Sequence, residues 1–485
     1  MTRRLLLLVR PLLVPLLLVA LLLGVGALIS GCNPRPSFAA GDARIEEVGK
    51  GFGAGFLLGT ATAAHQTEGG LTNDWTQWEA GQFEDGRPHI LNDDKSSVAT
   101  DSWNRFDDDL AAMKRLGVNS YRFSVEWSRL EPKEGEWDAT AVARYRQWAT
   151  RLRSNGIEPM VTLFHFTLPT WVAAEGGWES DKTKERFAAF AGRVAEALGD
   201  EVDFWCTLNE PNVYTTFGYL TGDWPPGKSD QVIAAEVLAR LVEAHAVATA
   251  EVRAKDKIDA DGDGLSSKVG IAHHVRIFQP ATQSVADVAI TGLTDEFFNE
   301  AIVLAAKTGR IRLTVPGAVE IDREVPGLAG SFDYLGINYY TRDHIRADLT
   351  DKALSQQYVP RGRETNDLGW DVYPEGLYQQ LKRFSSYNWP LYVTENGVAD
   401  AAGDQRPEHL LRHLRAIEHA IAEGVDIRGY YHWSLLDNFE WAEGYHARFG
   451  LFRIDFASPR LIREETPAVE TFRQVARNAG LTVPP

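Results

Sequence analysis

Two glutamates stand out by their settings. Glu210 lies in Thr207-Leu208-Asn209-Glu210-Pro211-Asn212, just past Val202-Asp203-Phe204-Trp205. Glu395 lies in Thr394-Glu395-Asn396-Gly397, just past Leu391-Tyr392-Val393. A carboxyl at the end of a buried strand sits where barrel enzymes do chemistry. Two such carboxyls, one protonated and one ionised, are what cleavage of a glycosidic bond with retention requires. Arg122, in Tyr121-Arg122-Phe123-Ser124, would follow another strand. Across a closed barrel its cation would keep Glu395 ionised and nucleophilic. The aromatic setting of Glu210 (Phe204, Trp205, Tyr214) would raise its pKa and leave it an acid.

Around this pair are side chains suited to a hydroxylated ring. Asn209 adjoins the expected acid, where an amide can hydrogen-bond a sugar hydroxyl as charge develops. Gln66, His165 and Asn338 each follow a different expected strand, and Glu440 and Trp441 follow a fourth. Singly each reads as structural; together at strand ends they describe a pocket.

These residues need a frame that brings eight strand ends together. Short apolar runs at 55–62, 120–124, 159–164, 203–208, 269–273, 333–337, 391–394 and 429–433 read as strands buried on both faces. Amphipathic stretches alternate with them at 101–116, 138–155, 181–199, 230–256, 294–308, 374–385 and 407–424, and a last one follows at 466–479. Eight strands alternating with helices predict an α/β fold, a (β/α)8 TIM barrel forming a single catalytic domain over 51–485. A doubly wound open sheet is the alternative, but it places its site at one switch point rather than after nearly every strand.

Composition narrows the function. With 485 residues, 44% apolar and 24% charged, the chain is an ordinary globular mixture. A formal charge of -17 argues against nucleic acid as a partner, since phosphates need a basic footprint. The expected partner is a small neutral molecule, an oligosaccharide or other β-glycoside. No nucleotide-binding glycine loop and no Ser-His-Asp arrangement stands out, and no cofactor or metal is expected. The run Asp259-Ala260-Asp261-Gly262-Asp263-Gly264 is like a calcium loop, but its twelfth position is Gly270 where a glutamate is wanted, so a solvated acidic turn is the preferred reading. His273 and His274 follow it without a third strong ligand at metal-binding spacing.

The chain start reads as a targeting segment. Arg3 and Arg4 precede an apolar run to Leu28, and Ile29-Ser30-Gly31-Cys32 then resembles a bacterial lipobox. The expectation is a cleaved signal at 1–31, lipidation of Cys32, a flexible tether at 32–50, and an extracytoplasmic enzyme touching the membrane only through that anchor. A plain secretory signal and an uncleaved anchor helix are the alternatives.

Over about residues 50–480 the chain resembles glycoside hydrolase family 1, the β-glucosidase family. The motifs run in family order: Phe56 to Gly69, Tyr121 to Ser124, Thr207 to Asn212, Gly336-Ile337-Asn338-Tyr339-Tyr340, Gly369-Trp370, Thr394 to Gly397, and Trp433 to Tyr445. The resemblance implies Glu210 as acid/base and Glu395 as nucleophile. It implies that Gln66, His165, Asn209, Glu440 and Trp441 hold the glycone, Trp433 is the platform beneath it, Phe449 closes the pocket, and Asn338 and Tyr340 lie near the nucleophile. It further implies a retaining exo-β-glycosidase, most readily a β-glucosidase. A galactosidase, a fucosidase, a transglycosylase and a non-catalytic carbohydrate-binding lipoprotein are the alternatives. A Glu440 carboxylate would repel a phosphosugar. Phe166 stands where many members have Trp, which costs one N–H donor, and His65 and His432 stand where Tyr, Phe or Val is commoner.

Overall fold

The computed structural model describes residues 36–483, apart from 316, 349 and 352. Strands β1 Leu57–Ala61, β2 Ser120–Ser124, β3 Glu158–Phe164, β4 Phe204–Asn209, β5 Lys268–Pro280, β6 Tyr334–Ala347, β7 Leu391–Asn396 and β8 Ile427–Trp433 pair in parallel in chain order. β8 pairs with β1 and β6 with β7, so the sheet closes into a (β/α)8 barrel. The expected strands all form. The outer helices are α1 Ser102–Leu116, α2 Ala139–Ser154, α3 Asp181–Leu198, α4 Gln231–Lys255, α5 Ala301–Thr308, α6 Pro374–Ser385, α7 Arg406–Ala422 and α8 Pro467–Asn478.

Two apolar layers hold this shape. The strand faces turned outward pack Val161, Trp205, Ile271, Leu335 and Val393 against the helices. The faces turned inward fill the barrel with Met160, Phe204, Tyr334, Tyr392 and Tyr431. Strand alternation makes this division, since successive side chains point to opposite faces. It carries Trp205 outward, where its indole N–H donates to Asp256 Oδ2 at 2.8 Å, and Cys206 inward as a buried free thiol.

Three features differ from expectation. β5 and β6 run on beyond the barrel as a paired arm, with Ile277 opposite Arg342 and Pro280 opposite Ile345. The helical stretch expected at 294–308 begins earlier, as Val285–Asp295, and a π-turn at Glu296–Glu300 links it to α5. Residues 36–50, expected as tether, lie docked along the barrel. Phe38 is buried, its N–H donates to Glu375 and its carbonyl accepts from Arg412. Asn478 clamps the carbonyls of Ile45 and Val48, and Glu418 accepts from the N–H groups of Gly49 and Gly51. Buried backbone needs such partners, so this segment belongs to the domain. Cys32 and the leader lie outside the described residues. No helix among the described residues is long and apolar enough to cross a membrane.

Candidate active site

The strand C-termini open into a cavity of about 700 Å³. Both glutamates reach it from strands whose register slips just before them. β4 loses register with β5 between Cys206 and Asn209, and β7 with β6 between Val393 and Glu395. Such irregularities re-aim a side chain at a barrel rim. Glu210 sits at φ 42°, between β4 and the short helix Pro211–Thr215. Phe166 at φ 74° and Trp441 at φ 50° border the same cavity in the left-handed region that non-glycine residues avoid. Strained backbone held by its surroundings is characteristic of working sites.

The polar groups form one connected network. Arg122 donates from Nη1 to Glu395 Oε1 and from Nη2 to Asn209 Oδ1, each at 2.6 Å. With its oxygen so engaged, the Asn209 amide must turn Nδ2 to His165 Nε2 at 3.1 Å. His165 Nδ1 is then left buried without a partner, as is Gln66 Oε1. Unpaired buried polar atoms are rare, and at His165, which borders the cavity, a hydroxylated ligand would supply the missing partner. Tyr340 donates its hydroxyl to Glu395 Oε2 at 2.7 Å. Asn338 donates to Glu210 Oε1 at 2.8 Å and is oriented by Thr394, whose hydroxyl donates to its Oδ1 at 2.7 Å. Gln66 donates to Glu440 Oε2 at 3.1 Å.

The expected residues therefore divide. His165, Asn209, Glu210, Tyr340, Glu395, Trp433, Glu440, Trp441 and Phe449 border the cavity. Arg122, Gln66 and Asn338 do not border it; they are wholly buried one layer behind and act through the hydrogen bonds just described. His274 and Arg276 of β5 border the cavity too and were not foreseen as site residues. So do Phe217, Trp224, Leu368 and Trp370, an apolar wall. Strand alternation was the available signal for His274: it separates His274, facing inward to Glu210, from His273, facing outward to the Asn299 carbonyl.

Burial dominates the electrostatics. It pushes Glu395 up to about 7, against the attraction of Arg122. The ion pair alone does not hold Glu395 in the ordinary carboxylate range, contrary to the expectation above. Burial raises Glu210 as well, but a charged His274, hydrogen bonds from His274 and Asn338, and Arg122 together bring it below the usual value. The largest of those lowering causes requires a protonated His274, and burial holds His274 itself below the ordinary histidine range. At neutral pH that charge is absent, which leaves the hydrogen bonds from His274 and Asn338 and the charge of Arg122 to oppose the burial of Glu210, contrary to the expectation that its surroundings only raise its pKa. Burial, with repulsion from Glu395 and Glu210, pushes Glu440 up to about 8. Burial thus favours the neutral form of Glu440 in the free cleft, which weakens the expected charge repulsion of a phosphosugar there.

The acidic run 259–264 is a turn closed on itself. Asp259 accepts from the N–H groups of Gly262, Asp263 and Gly264. The Lys268 ammonium lies 2.5 Å from Asp261 and 2.7 Å from Asp263, where a cation would otherwise sit.

A cleft with paired carboxyls and aromatic walls at the mouth of a (β/α)8 barrel places the molecule among the barrel enzymes that act on sugars. The sequence profile of Glycosyl hydrolase family 1 matches residues 48–481, and the chain belongs to that family. It is 33% identical to beta-glucosidase A of Thermotoga maritima, over 89% of this chain and 99% of that protein. It is 30% identical to a beta-galactosidase of Pyrococcus woesei, over 88% of this chain and 97% of that one. Among solved structures, a beta-glycosidase from Pyrococcus horikoshii superposes with a TM-score of 0.79 at 34% identity, covering 88% of this chain and 95% of its own.

Proposed function

We propose that the protein is a retaining exo-β-glycosidase acting on terminal β-D-glucosyl residues of neutral glycosides. The observation that carries this reading is that Glu210, just past β4, and Glu395, on β7, meet at one cavity, with Arg122 gripping Glu395 and Asn209 at once. Two carboxyls in one buried cleft share a proton near neutrality. With the proton on Glu210, repulsion between the two is relieved and Arg122 favours the Glu395 carboxylate. Glu395 attacks the anomeric carbon while Glu210 protonates the departing oxygen, and the glycosidic C–O bond breaks. Glu210, now a carboxylate, takes a proton from water, whose oxygen displaces Glu395 and releases the sugar with its configuration kept. His165, Asn209, Glu440 and Trp433 hold the glycone, with Gln66 and Asn338 bracing them.

Glucose is favoured over galactose or fucose on the likeness to beta-glucosidase A, and relatives named for other sugars make this the finer and separate claim. A panel of aryl β-glycosides tests it. Glu395→Gly should abolish turnover of an aryl β-glucoside, and the first product seen by NMR should be the β-anomer. Normal turnover by that variant, or an α-anomer, refutes the mechanism. We propose further that the protein is exported and lipid-anchored through Cys32, on the strength of its apolar leader and Ile29-Ser30-Gly31-Cys32. Detergent partitioning that Cys32→Ala leaves unchanged would contradict this.

A further inference from the structure

β5 brings two side chains, His274 and Arg276, to the same side of the cleft as Glu210. His274 Nδ1 lies 2.8 Å from Glu210 Oε1. On the other edge of the ring, Arg276 Nε donates to His274 Nε2 at 3.0 Å, and Arg276 Nη1 is fixed by Asp343 Oδ2 at 2.9 Å. The Nε of an arginine always carries its hydrogen, so His274 Nε2 must be the bare, accepting nitrogen. The proton of the neutral ring is then on Nδ1, directed at Glu210. Oε1 of Glu210 already accepts from Asn338 Nδ2 at 2.8 Å. An oxygen that receives two N–H donors is a poor place for a third hydrogen.

We propose that His274 and Arg276 are positioning residues for Glu210: Arg276 locks His274 as its Nδ1–H tautomer, and His274 with Asn338 confines the transferable proton of Glu210 to Oε2. The lock also keeps His274 from competing for that proton. Were Nε2 free, the ring could become imidazolium beside a Glu210 carboxylate. That state holds the same number of protons but has none to give to a leaving group. The backbone is braced for this duty, because Asn212 Nδ2 donates to the His274 carbonyl at 2.8 Å.

Other charged groups bear on the same equilibrium. Glu210 is faced by Arg122 from β2, Glu395 from β7, Tyr340 from β6 and Glu440 from the loop after β8. His274 is faced by Arg276, Asp343 and, across the strand, His273. Of these, only Arg276 contacts Nε2, which is why its loss should act through the tautomer.

The proposal rests on the reading of Glu210 as the acid, and the test separates the two. Two glycosides of the same sugar are compared, one with a 2,4-dinitrophenyl leaving group that departs without protonation and one with an alkyl leaving group that cannot. Arg276→Met should lower kcat/KM for the alkyl glycoside about tenfold or more across the pH plateau, while the dinitrophenyl glycoside changes by less than about twofold. The double variant Arg276→Met with His274→Leu should recover most of that loss, since no imidazole remains to take the proton. His274→Leu alone should move the alkaline limb of kcat/KM for the alkyl glycoside to higher pH by about one unit, because the Glu210 carboxylate loses a donor. Dinitrophenyl turnover also reports whether each variant is folded. Equal losses on both substrates, or a loss that persists in the double variant, overturns the proposal. Glu210→Gln is the control: if it leaves alkyl glycosides turned over normally, the assignment of the acid itself has failed.

Discussion

The Arg122 guanidinium lies 2.6 Å from the Glu395 carboxylate, with 1% and 5% of the two side chains exposed. Removing Glu395 leaves Arg122 charged and sealed from water, which costs about 3–5 kcal/mol, whereas removing Arg122 drives the buried Glu395 to its neutral form. On the proposed mechanism the pair places a charge at the reacting carbon, and it is a weak source of stability.

Weakening the pair should show in the pH profile. Arg122 lowers the pKa of Glu395 against a burial that brings it to about 7. With Arg122→Lys the fork that grips Glu395 and Asn209 at once is lost and that pKa rises. On the proposed mechanism Glu395 attacks only when ionised, so the acid limb of kcat/KM should move to higher pH. An acid limb unchanged or shifted to lower pH would contradict this.

Tyr340 supplies the second hold on Glu395, at Oε2. Hydrogen bonds to charged groups are worth about 1.5–3 kcal/mol, so Tyr340→Phe should lower kcat/KM by about tenfold to a hundredfold. Its acid limb should shift in the same direction as that of Arg122→Lys. Steady-state kinetics across pH 5–9 with an aryl glycoside check both points.

Gly397 lies two positions after Glu395, and a Cβ there would lie 1.8 Å from the Trp433 carbonyl oxygen. The obstacle is backbone at the end of β8, which cannot swing aside. Gly397→Ala should push β7 and β8 apart at the site, costing about 3 kcal/mol of stability and most of the activity. A denaturant midpoint equal to that of the unaltered protein would show that the strand ends yield more easily than this.

His432 stands on β8 with Nδ1 3.2 Å from the Tyr430 hydroxyl and a buried Nε2 that lacks a partner. Burial, aided by Arg406, holds its pKa at about 3. A base whose folded pKa is depressed is protonated first in the unfolded chain, so stability falls as pH drops below the unfolded value of about 6.5 and keeps falling until the folded value is reached. Phenylalanine cannot titrate and strands no nitrogen. His432→Phe should therefore match the unaltered protein within about 1 kcal/mol at pH 8 and exceed it by about 2 kcal/mol more at pH 5. Urea unfolding at the two pH values decides; a difference that does not grow on acidification refutes it.

The barrel was legible because its signals are local. Runs such as Leu391-Tyr392-Val393, alternating with amphipathic stretches such as 407–424, carry their own periodicity, and eight repeats admit few arrangements. Glu210 and Glu395 were legible because each sits in a dense polar signature at a strand end. The docking of 36–50 was not, because Pro34, Pro36 and Gly41 suggest a linker and nothing local reveals that Glu375, Arg412 and Glu418 wait on the barrel to pair its backbone. The paired arm of β5 and β6 was hidden in the same way, since its partners are distant along the chain.

Residue types and their order determined the family, the barrel and the two carboxyls, because apolar periodicity and strand-end chemistry are written within a few neighbouring positions. Only the folded chain decided the state of those carboxyls. Burial, the direction of the Arg122 fork and the pairing of Glu210 with His274, 64 positions away, arise from contacts between strands, and proton affinity answers to what surrounds a group in space.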